Sequence, residues 1–321
     1  MEFKLGDKIA TREAYGKALA ELGADHDFVV LDADLAEATK TCYFAKAYPG
    51  RFFDCGIAEG NMVGIAAGLA AAGKTVVASS FAMFAAGRAF EQIRNSVAYP
   101  HLNVKICATH AGITVGEDGA THQCLEDIAL MRSIPGMTVI NPSDAVEAAA
   151  ALKYALETDG PFYIRFGRYA VPVLHNSDEY VFEPGKGEVL VRGTDVTIVT
   201  GGMMAMAAVE ASTVLGLRGI SARVVNIHTV KPLDREIIKQ AAAETGAIVV
   251  AEEHNIIGGL GSAVAECVCE TCPCPVLRVG VQDTFGRSGK VPPLLEMYGL
   301  TAEAIVAKAE AALRLKKAVQ G

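Results

Sequence analysis

Residues 56–70 read Gly56-Ile57-Ala58-Glu59-Gly60-Asn61-Met62-Val63-Gly64-Ile65-Ala66-Ala67-Gly68-Leu69-Ala70, an apolar run with one acid near its start. This composition predicts a short helix, and glycine recurs at every fourth residue, on one helical face. A glycine costs about 0.5–1 kcal/mol relative to alanine inside a helix, so the repeat predicts that another backbone packs closely there. The carboxyl group of Glu59 is expected to be paired or protonated, or to be an acid favoured by the helix dipole.

The overall composition is acidic and rich in apolar residues. Of the 321 residues, 51% are hydrophobic and 21% are charged, and the net charge is −8. This length accommodates two domains. No basic block is present, so neither nucleic acids nor acidic membrane surfaces are expected partners. The amino terminus lacks the apolar core of a signal peptide, and no apolar run reaches the roughly 18 residues of a membrane span, so we expect a cytoplasmic protein.

Four of the eight cysteines, Cys267, Cys269, Cys272 and Cys274, are closely spaced. Such spacing is compatible with a zinc or iron–sulfur site. However, the segment is predicted to form the end of a helix and the start of a strand, which would point the thiols in several directions. We therefore interpret these cysteines as small, buried, structural thiols.

The order of predicted elements indicates an α/β fold made of two sandwich domains with parallel or mixed sheets. In residues 1–170 we predict strands at 28–34, 75–78, 104–108, 138–140 and 162–165, and helices at 11–23, 56–70, 86–99 and 145–157. Strands that are continuously apolar are typical of a parallel sheet covered on both faces. Residues 171–190 break the pattern and are the predicted linker. In residues 191–321 we predict a smaller domain with strands at 196–199, 222–225, 247–250 and 276–279, and helices at 204–215, 235–244, 262–270 and 302–316.

Polar side chains gather just beyond the carboxyl ends of the predicted strands, where open α/β sheets bind ligands. His110 follows strand 104–108, and its loop continues through Gly116-Glu117-Asp118-Gly119-Ala120-Thr121-His122-Gln123. Taken singly, each histidine is explained as a structural residue, and Phe81 and Phe84 are explained as core aromatics. Two histidines and two acids in one glycine-rich loop nevertheless predict a binding site.

Several motifs, in this order along the chain, resemble those of transketolases. Ile57-Ala58-Glu59-Gly60, Ser80-Phe81-Ala82-Met83-Phe84 and residues 116–123 are similar to the pyrimidine-binding domain of that family. Val230-Lys231-Pro232-Leu233-Asp234 and Gly258-Gly259-Leu260-Gly261-Ser262-Ala263 are similar to its C-terminal domain. The G-D-G…N segment, with which the family's pyrophosphate domain holds its metal and the diphosphate, is not found in this sequence. The chain therefore resembles the C-terminal subunit of a split transketolase.

The resemblance implies thiamine diphosphate as the cofactor. Glu59 would bond the pyrimidine ring and share a proton with it, Phe81 and Phe84 would hold that ring, and Asp34 and Leu35 would line the cofactor. An N-terminal partner subunit would supply the diphosphate site and the ligands of Mg²⁺ or Ca²⁺. The implied assembly is α2β2.

The resemblance also implies a site for phosphorylated sugars. His110, Asp118 and His122 would contact the sugar and take part in catalysis, and Arg12 and Arg165 would grip its phosphate. From the sequence pattern alone, the partner of Arg165 is either this phosphate or an acid such as Glu126 or Asp127.

One position departs from the family pattern. Where transketolases often have a phosphate-binding serine, this chain has Glu37-Ala38-Thr39. Thr39 or Lys40 would have to take over that contact, so the affinity for phosphate is the property most affected.

Three functions remain open from the sequence. The first is ketol transfer between phosphorylated sugars, favoured by the spacing from Asp118 to Gln123 and by the paired arginines. The second is the β subunit of a 2-oxo-acid dehydrogenase or the C-terminal half of a deoxyxylulose-phosphate synthase. The third is a nucleotide-binding or non-catalytic protein, suggested by Gly259-Leu260-Gly261. This last signal is weak because the third glycine position holds Val264, and a close helix–strand turn also explains it.

Overall fold

The computed structural model describes residues 3–320, which form three β-sheets with helices packed around them. The strands are β1 Lys8–Ala10, β2 Phe28–Asp32, β3 Phe52–Asp54, β4 Thr75–Phe81, β5 Val104–Thr109, β6 Thr138–Ile140, β7 Phe162–Arg165, β8 Ala170–Pro172, β9 Glu188–Val191, β10 Val196–Thr200, β11 Ala222–Asn226, β12 Thr229–Lys231, β13 Ile248–Asn255 and β14 Val276–Val281.

The α-helices are α1 Thr11–Leu22, α2 Ala36–Thr39, α3 Cys42–Ala47, α4 Glu59–Ala71, α5 Phe90–Gln92, α6 Asp127–Arg132, α7 Ala145–Glu157, α8 Met204–Leu217, α9 Arg235–Thr245, α10 Leu260–Thr271, α11 Val291–Met297 and α12 Ala302–Gln320. Residues Pro49–Arg51 and Ile113–Asp118 are 3₁₀-helical, and residues Met83–Arg88 and Ile93–Ala98 are π-helical.

The larger sheet has seven strands in the order β12-β6-β7-β5-β4-β2-β3. Its strands are parallel except for β12, which pairs antiparallel with β6. Every residue of β2, β5 and β7 is buried, as expected for a sheet covered on both faces. The strand β12 comes from the second half of the chain, so the two halves share this sheet.

The second sheet has five strands in the order β14-β13-β10-β11-β9, with only β9 antiparallel. A third, two-stranded sheet pairs β1 with β8. The predicted fold class, two α/β units with parallel or mixed sheets, is confirmed. Continuous apolar strands carried enough information for it, because they leave few alternatives to a sheet between two helical layers.

A buried histidine ties the two halves together. His175 Nδ1 lies 2.9 Å from Asp144 Oδ2 at the start of α7, and His175 Nε2 lies 2.9 Å from Glu188 Oε2 in β9. Burial lowers the pKa of His175, but the hydrogen bonds to Asp144 and Glu188 outweigh burial and raise that pKa to about 10. His175 therefore carries a proton at neutral pH and is a charged link between the halves.

The helix predicted at 86–99 is not a continuous α-helix. Two π-helical segments flank the three residues of α5. A π-helical turn takes in one extra residue and occurs often at functional sites. The apolar periodicity does not reveal it, because the extra residue leaves no compositional signal.

The glycine face of α4 is only partly covered by this chain: a Cβ on Gly60 would lie 3.5 Å from Gln92 Oε1. A side chain at Gly64 or Gly68 would meet nothing within 4 Å, and the neighbouring Ile65 is 39% exposed. Ile57, just before the helix, is 76% exposed. The predicted close backbone contact is thus not made inside residues 3–320, and the face is open to solvent at Gly64 and Gly68.

The clustered cysteines are free thiols, and only Cys267 is buried. Cys269 is exposed and Cys272 and Cys274 are half-buried, so the prediction of four buried thiols is wrong for three of them. Cys267 faces the core from α10, whereas Cys269, two residues on, faces away. Within residues 3–320, no group of histidine, cysteine and acidic residues is placed to hold a metal ion. The described helices include none with the length and apolarity that a membrane crossing requires.

Candidate functional site

Four of the predicted site residues meet in one aromatic cluster at the carboxyl edge of the larger sheet. Phe81 ends β4, and its ring lies 5.8 Å from that of Phe84 with 17° between the planes. The His110 ring stacks on Phe81 at 3.7 Å. His122 meets Phe84 edge-on at 5.2 Å. The site prediction for these two phenylalanines and two histidines thus corresponds to a contiguous cluster in the fold.

Glu59 joins this cluster through an arginine that sequence analysis missed. The Glu59 side chain is 1% exposed, and its Oε2 accepts a hydrogen bond of 2.8 Å from Arg88 Nη1. Its Oε1 is buried without a hydrogen-bond partner. The guanidinium carbon of Arg88 lies 4.6 Å from the centre of the Phe84 ring. The available signal for Arg88 was its position as a single charge in the apolar run from Ala85 to Ala89.

His110 is a neutral hydrogen-bonding group. Burial, followed by the charges of Arg12 and Arg168, lowers its pKa to about 3. Arg12 Nη1 lies 3.1 Å from His110 Nε2, and an arginine can only donate, so Nε2 is the acceptor. The proton is therefore on Nδ1, which donates to Thr109 Oγ1 at 2.9 Å. This network fixes the tautomer and the orientation of the ring.

Arg12 and Arg168 make the neighbouring end of the site positive. Arg12 Nη1 also donates to the Ala38 carbonyl at 2.8 Å, and its Nε is buried without a partner. Burial and the charge of Arg168 lower the pKa of Arg12, against the opposing effect of nearby acids that include Asp118. Two close cations with an unused donor favour an anionic ligand.

Arg168 was not among the predicted site residues. It lies in the loop after β7, donates a hydrogen bond to the Val115 carbonyl and lies 3.6 Å from Glu117 Oε2. Its side chain is 35% exposed, so part of its guanidinium is accessible. The sequence does contain a signal, since Arg168 follows Arg165 by three residues, beyond the end of the strand.

Arg165 pairs with acidic residues of this chain and does not face the ligand site. Its Nε donates to Asp127 Oδ2 at 2.8 Å, and its Nη2 donates to the Glu253 carbonyl at 2.8 Å. Its Nη1 lies 3.8 Å from Glu253 Oε2, and the side chain is 4% exposed. The prediction that Arg165 grips a phosphate is therefore wrong. Its position inside the apolar strand β7 buries the guanidinium, which needs the acids for charge compensation.

The loop after β2 is held by a buried acid. Asp32 accepts hydrogen bonds from the Leu35 amide at 2.7 Å, from Thr39 Oγ1 at 2.7 Å and from Thr41 Oγ1 at 2.9 Å. Burial raises the pKa of Asp32. Thr39 is fully buried by these contacts, so it cannot replace a phosphate-binding serine. Asp34 is exposed, with its amide donating to Asp54 Oδ1 at 3.1 Å.

Lys40 and Asp118 lie at the rim of the positive end. The Lys40 side chain is 24% exposed, lies 3.7 Å from Glu13 and contributes to the lowered pKa of His110, after burial and the two arginines. Lys40 is thus the remaining candidate for the missing serine. Asp118 is exposed at the end of the 3₁₀-helix and acts on Arg12 through its charge.

The glycine-rich turn before α10 is filled by the protein itself. Glu252 accepts hydrogen bonds from the Leu260 amide at 2.7 Å and from the Gly261 amide at 2.9 Å. A Cβ on Gly259 would lie 2.1 Å from Glu252 Oε2. The carboxylate occupies the helix start where a nucleotide phosphate would bind. The structure supports the close-packing turn and not the nucleotide site.

A flat, nitrogen-containing ring fits the cluster. Glu59 offers a buried oxygen without a partner, and Phe81 and Phe84 offer aromatic surface next to it. The pyrimidine ring of thiamine diphosphate has the nitrogen and the flat faces that these groups can accept. Together, fold and site define an α/β protein with an aromatic cluster that contains a buried acid, beside an anion-attracting end.

Comparisons with known proteins agree with this description. Residues 7–173 match the family model "Transketolase, pyrimidine binding domain", and residues 185–305 match "Transketolase, C-terminal domain". A "Putative transketolase C-terminal section" from Methanocaldococcus jannaschii is 52% identical over 297 residues, which cover 92% of this chain and 93% of the relative. A 6-deoxy-6-sulfo-D-fructose transketolase subunit from Clostridium sp. is 47% identical over 297 residues, 92% of both chains.

One solved structure is similar over nearly its whole length. It is described as "Split gene transketolase, inactive beta4 tetramer" and superposes with a TM-score of 0.90 at 57% identity, over 96% of this chain and 99% of that one. The chain belongs to the transketolase family. Dependence on thiamine diphosphate is a property of that family, and the resemblance to its split C-terminal subunits is confirmed.

Proposed function

We propose that this chain is the C-terminal (β) subunit of a two-chain transketolase that moves a two-carbon ketol unit between phosphorylated sugars. The observation that carries the proposal is the buried Glu59 carboxylate, with one oxygen lacking a partner, beside the stacked Phe81 and Phe84. Arg12 and Arg168 provide the positive end that an anionic sugar requires.

Glu59 holds and exchanges a proton at the ring nitrogen of the cofactor, since a buried carboxyl group can share a proton with a ring that it contacts. When bound, thiamine diphosphate would supply a nucleophilic carbon for the transfer chemistry. Phe81 and Phe84 fix the plane of the pyrimidine ring, and Asp34 and Leu35 line the cofactor.

The sugar lies between the histidines and the arginines. His110 and His122 orient its hydroxyl groups, and Asp118 contributes an acceptor from the rim. Because the Nε2 of His110 is held by Arg12, a ligand oxygen that binds Arg12 also affects this contact. Arg12 and Arg168 bind the phosphate, each through the planar donor fork of its guanidinium.

The remaining part of the site comes from an N-terminal partner subunit. That subunit supplies the diphosphate site and the ligands of Mg²⁺ or Ca²⁺, and an α2β2 assembly forms. The open part of the glycine face of α4 supports this proposal, because Gly64 and Gly68 allow a backbone to approach the helix that begins with Glu59. Exposed Ile65 in this helix and Ile57 just before it add apolar surface for that contact.

The experiment compares the chain alone with the chain assembled with an N-terminal transketolase subunit. Thiamine diphosphate binding is measured by calorimetry, and ketol transfer is measured with a phosphorylated ketose and with hydroxypyruvate. We expect activity only from the assembled enzyme. Ketol transfer by the chain alone would contradict the split-enzyme proposal, and turnover of pyruvate by the assembly instead of ketol transfer would support the 2-oxo-acid dehydrogenase alternative.

The substrate class is tested with Arg168→Ala. Hydrogen bonds to charged groups are worth about 1.5–3 kcal/mol, so kcat/KM for a phosphorylated donor is expected to fall about 10–150-fold. The kcat/KM for hydroxypyruvate, which has no phosphate, should fall much less. The exposed Arg192→Ala is the control for charge removal. An equal loss with both donors means that Arg168 does not bind the phosphate, and a sulfonated ketose in the same assay tests the alternative anion suggested by the Clostridium relative's name.

A further inference from the structure

Arg88 makes an unusual pair of contacts for a largely exposed side chain. It ends the π-helical segment Met83–Arg88, and its side chain is 54% exposed. Nevertheless, its Nη1 lies 2.8 Å from Oε2 of the buried Glu59, and its guanidinium carbon lies over the Phe84 ring at 4.6 Å. Among residues 3–320, Arg88 makes no other hydrogen bond that would hold it in this place.

Both contacts involve groups that the proposed function assigns to the cofactor's pyrimidine ring: the Glu59 carboxylate, of which Arg88 holds Oε2 while Oε1 has no partner, and the Phe84 ring. A guanidinium is planar, spreads its positive charge over three nitrogens, donates N–H groups in its plane and stacks on aromatic faces. A pyrimidine that carries a proton on its ring nitrogen shares each of these features. Arg88 and such a ring would therefore compete for the charge of the Glu59 carboxylate and for the Phe84 ring.

We propose that Arg88 is a displaceable occupant of the pyrimidine pocket, which holds the Glu59 carboxylate until the cofactor replaces it. This inference rests on the proposed function. In the free chain, the ion pair compensates the buried charge of Glu59, which would otherwise be strongly destabilising. The exposed side of Arg88 gives the side chain an outward route to solvent.

If the cofactor displaces Arg88, removing this side chain should strengthen cofactor binding. Removing an ordinary positioning residue would weaken it. If the pocket is open in about a tenth of the molecules or fewer, the apparent affinity for the cofactor is reduced by that fraction. Arg88→Ala removes the competitor, so the assembled enzyme should bind thiamine diphosphate about 10–50-fold more tightly. A permanent partner of Glu59 would instead give weaker binding on removal.

The test is calorimetric titration of thiamine diphosphate into the assembled two-chain enzyme at saturating Mg²⁺. The variants are Arg88→Ala, Arg88→Lys, which keeps the charge without the planar group, and Arg94→Ala, an exposed arginine of the second π-helical segment. We expect the order of affinity Arg88→Ala above Arg88→Lys above wild type, with Arg94→Ala equal to wild type. Circular dichroism melting checks that each variant is folded.

A structure of the assembled wild-type enzyme with thiamine diphosphate gives a second test that needs no variant. We expect the Arg88 guanidinium to have left both Glu59 and Phe84. Equal or weaker binding by a folded Arg88→Ala, or an Arg88 that still bonds Glu59 beside the bound cofactor, overturns the inference and leaves the proposed function intact. If wild type and variants all fail to bind the cofactor, the proposed function is wrong and the inference falls with it.

Discussion

Replacing Arg165 with methionine should destabilise the protein strongly, because the side chain lies between two buried acids. The Asp127 and Glu253 side chains are 0% and 3% exposed. Methionine keeps an unbranched apolar stem but leaves two carboxylates without their cation. Removing one member of a buried ion pair costs about 3–5 kcal/mol, and we expect a loss of this size in the free energy of unfolding.

The assay is guanidinium unfolding followed by circular dichroism, with Arg168→Met as the matched variant. Arg168 is the same residue type three positions on, but it is one-third exposed and contacts Glu117 only at 3.6 Å. Exposed ion pairs contribute about 0–1 kcal/mol, so the free energy of unfolding of Arg168→Met should be close to that of the wild type. Arg165→Met should therefore lose stability, whereas Arg168→Met should keep its stability and lose ligand binding.

A double-mutant cycle isolates the ion pair itself. Asp127→Asn keeps the size of the side chain and its ability to accept the hydrogen bond of 2.8 Å from Tyr163. In this background, Arg165→Met should lower the free energy of unfolding by at least about 1 kcal/mol less than it does in the wild type, since residues in direct contact are coupled. A folded Arg165→Met of wild-type stability, with poor use of phosphorylated donors, would refute the reasoning and return Arg165 to the ligand site.

Three further outcomes are expected. Glu59→Gln in the assembled enzyme should lower kcat about 10²–10⁴-fold with little change in melting, and retention of more than about a third of kcat would exclude acid–base work by Glu59. The pKa of His175 lies above its unfolded value, so its stabilisation is complete below about pH 6.5 and is lost as the pH rises towards 10. His175→Gln should thus lower the free energy of unfolding, measured with denaturant, by about 1–3 kcal/mol near pH 6 and by clearly less near pH 9.5. A loss that does not depend on pH would contradict the charged link. Gly64→Leu should leave melting unchanged but weaken binding of the N-terminal subunit at least about 10-fold, unlike Gly216→Leu on an equally open helical site, and normal assembly would show that α4 is not the contact face.

The sequence was sufficient for the layers of the fold and for part of the site. Apolar strands and the residues just past their ends predicted the sheet edge at which Phe81, Phe84 and His110 meet. The roles of the arginines were harder to predict. The length of the side chain and its burial decide what an arginine contacts, and the local sequence pattern does not reveal these contacts. Arg165 lies inside a strand and is buried, whereas Arg168 lies beyond the end of that strand and remains accessible.

The open glycine face of α4 illustrates a second reason why sequence reasoning falls short. The four-residue repeat correctly indicates a surface without side chains, but a repeat does not say whether the partner backbone belongs to the same chain. The π-helical turns around α5 pose a related problem, since they place Arg88 next to Glu59 through a backbone feature with no compositional signal. In both cases, the missing information concerns where a segment packs, not what it is made of.

The site residues form one unbroken series of contacts between two charged ends. Arg12 bonds His110, His110 stacks on Phe81, and Phe81 stacks on Phe84, whose ring lies under the guanidinium that bonds Glu59. His110 is the histidine within this series. Because burial and the nearby cations lower its pKa to about 3, it stays neutral through the range in which an enzyme would work. A fall in activity below neutral pH must therefore come from a group other than His110.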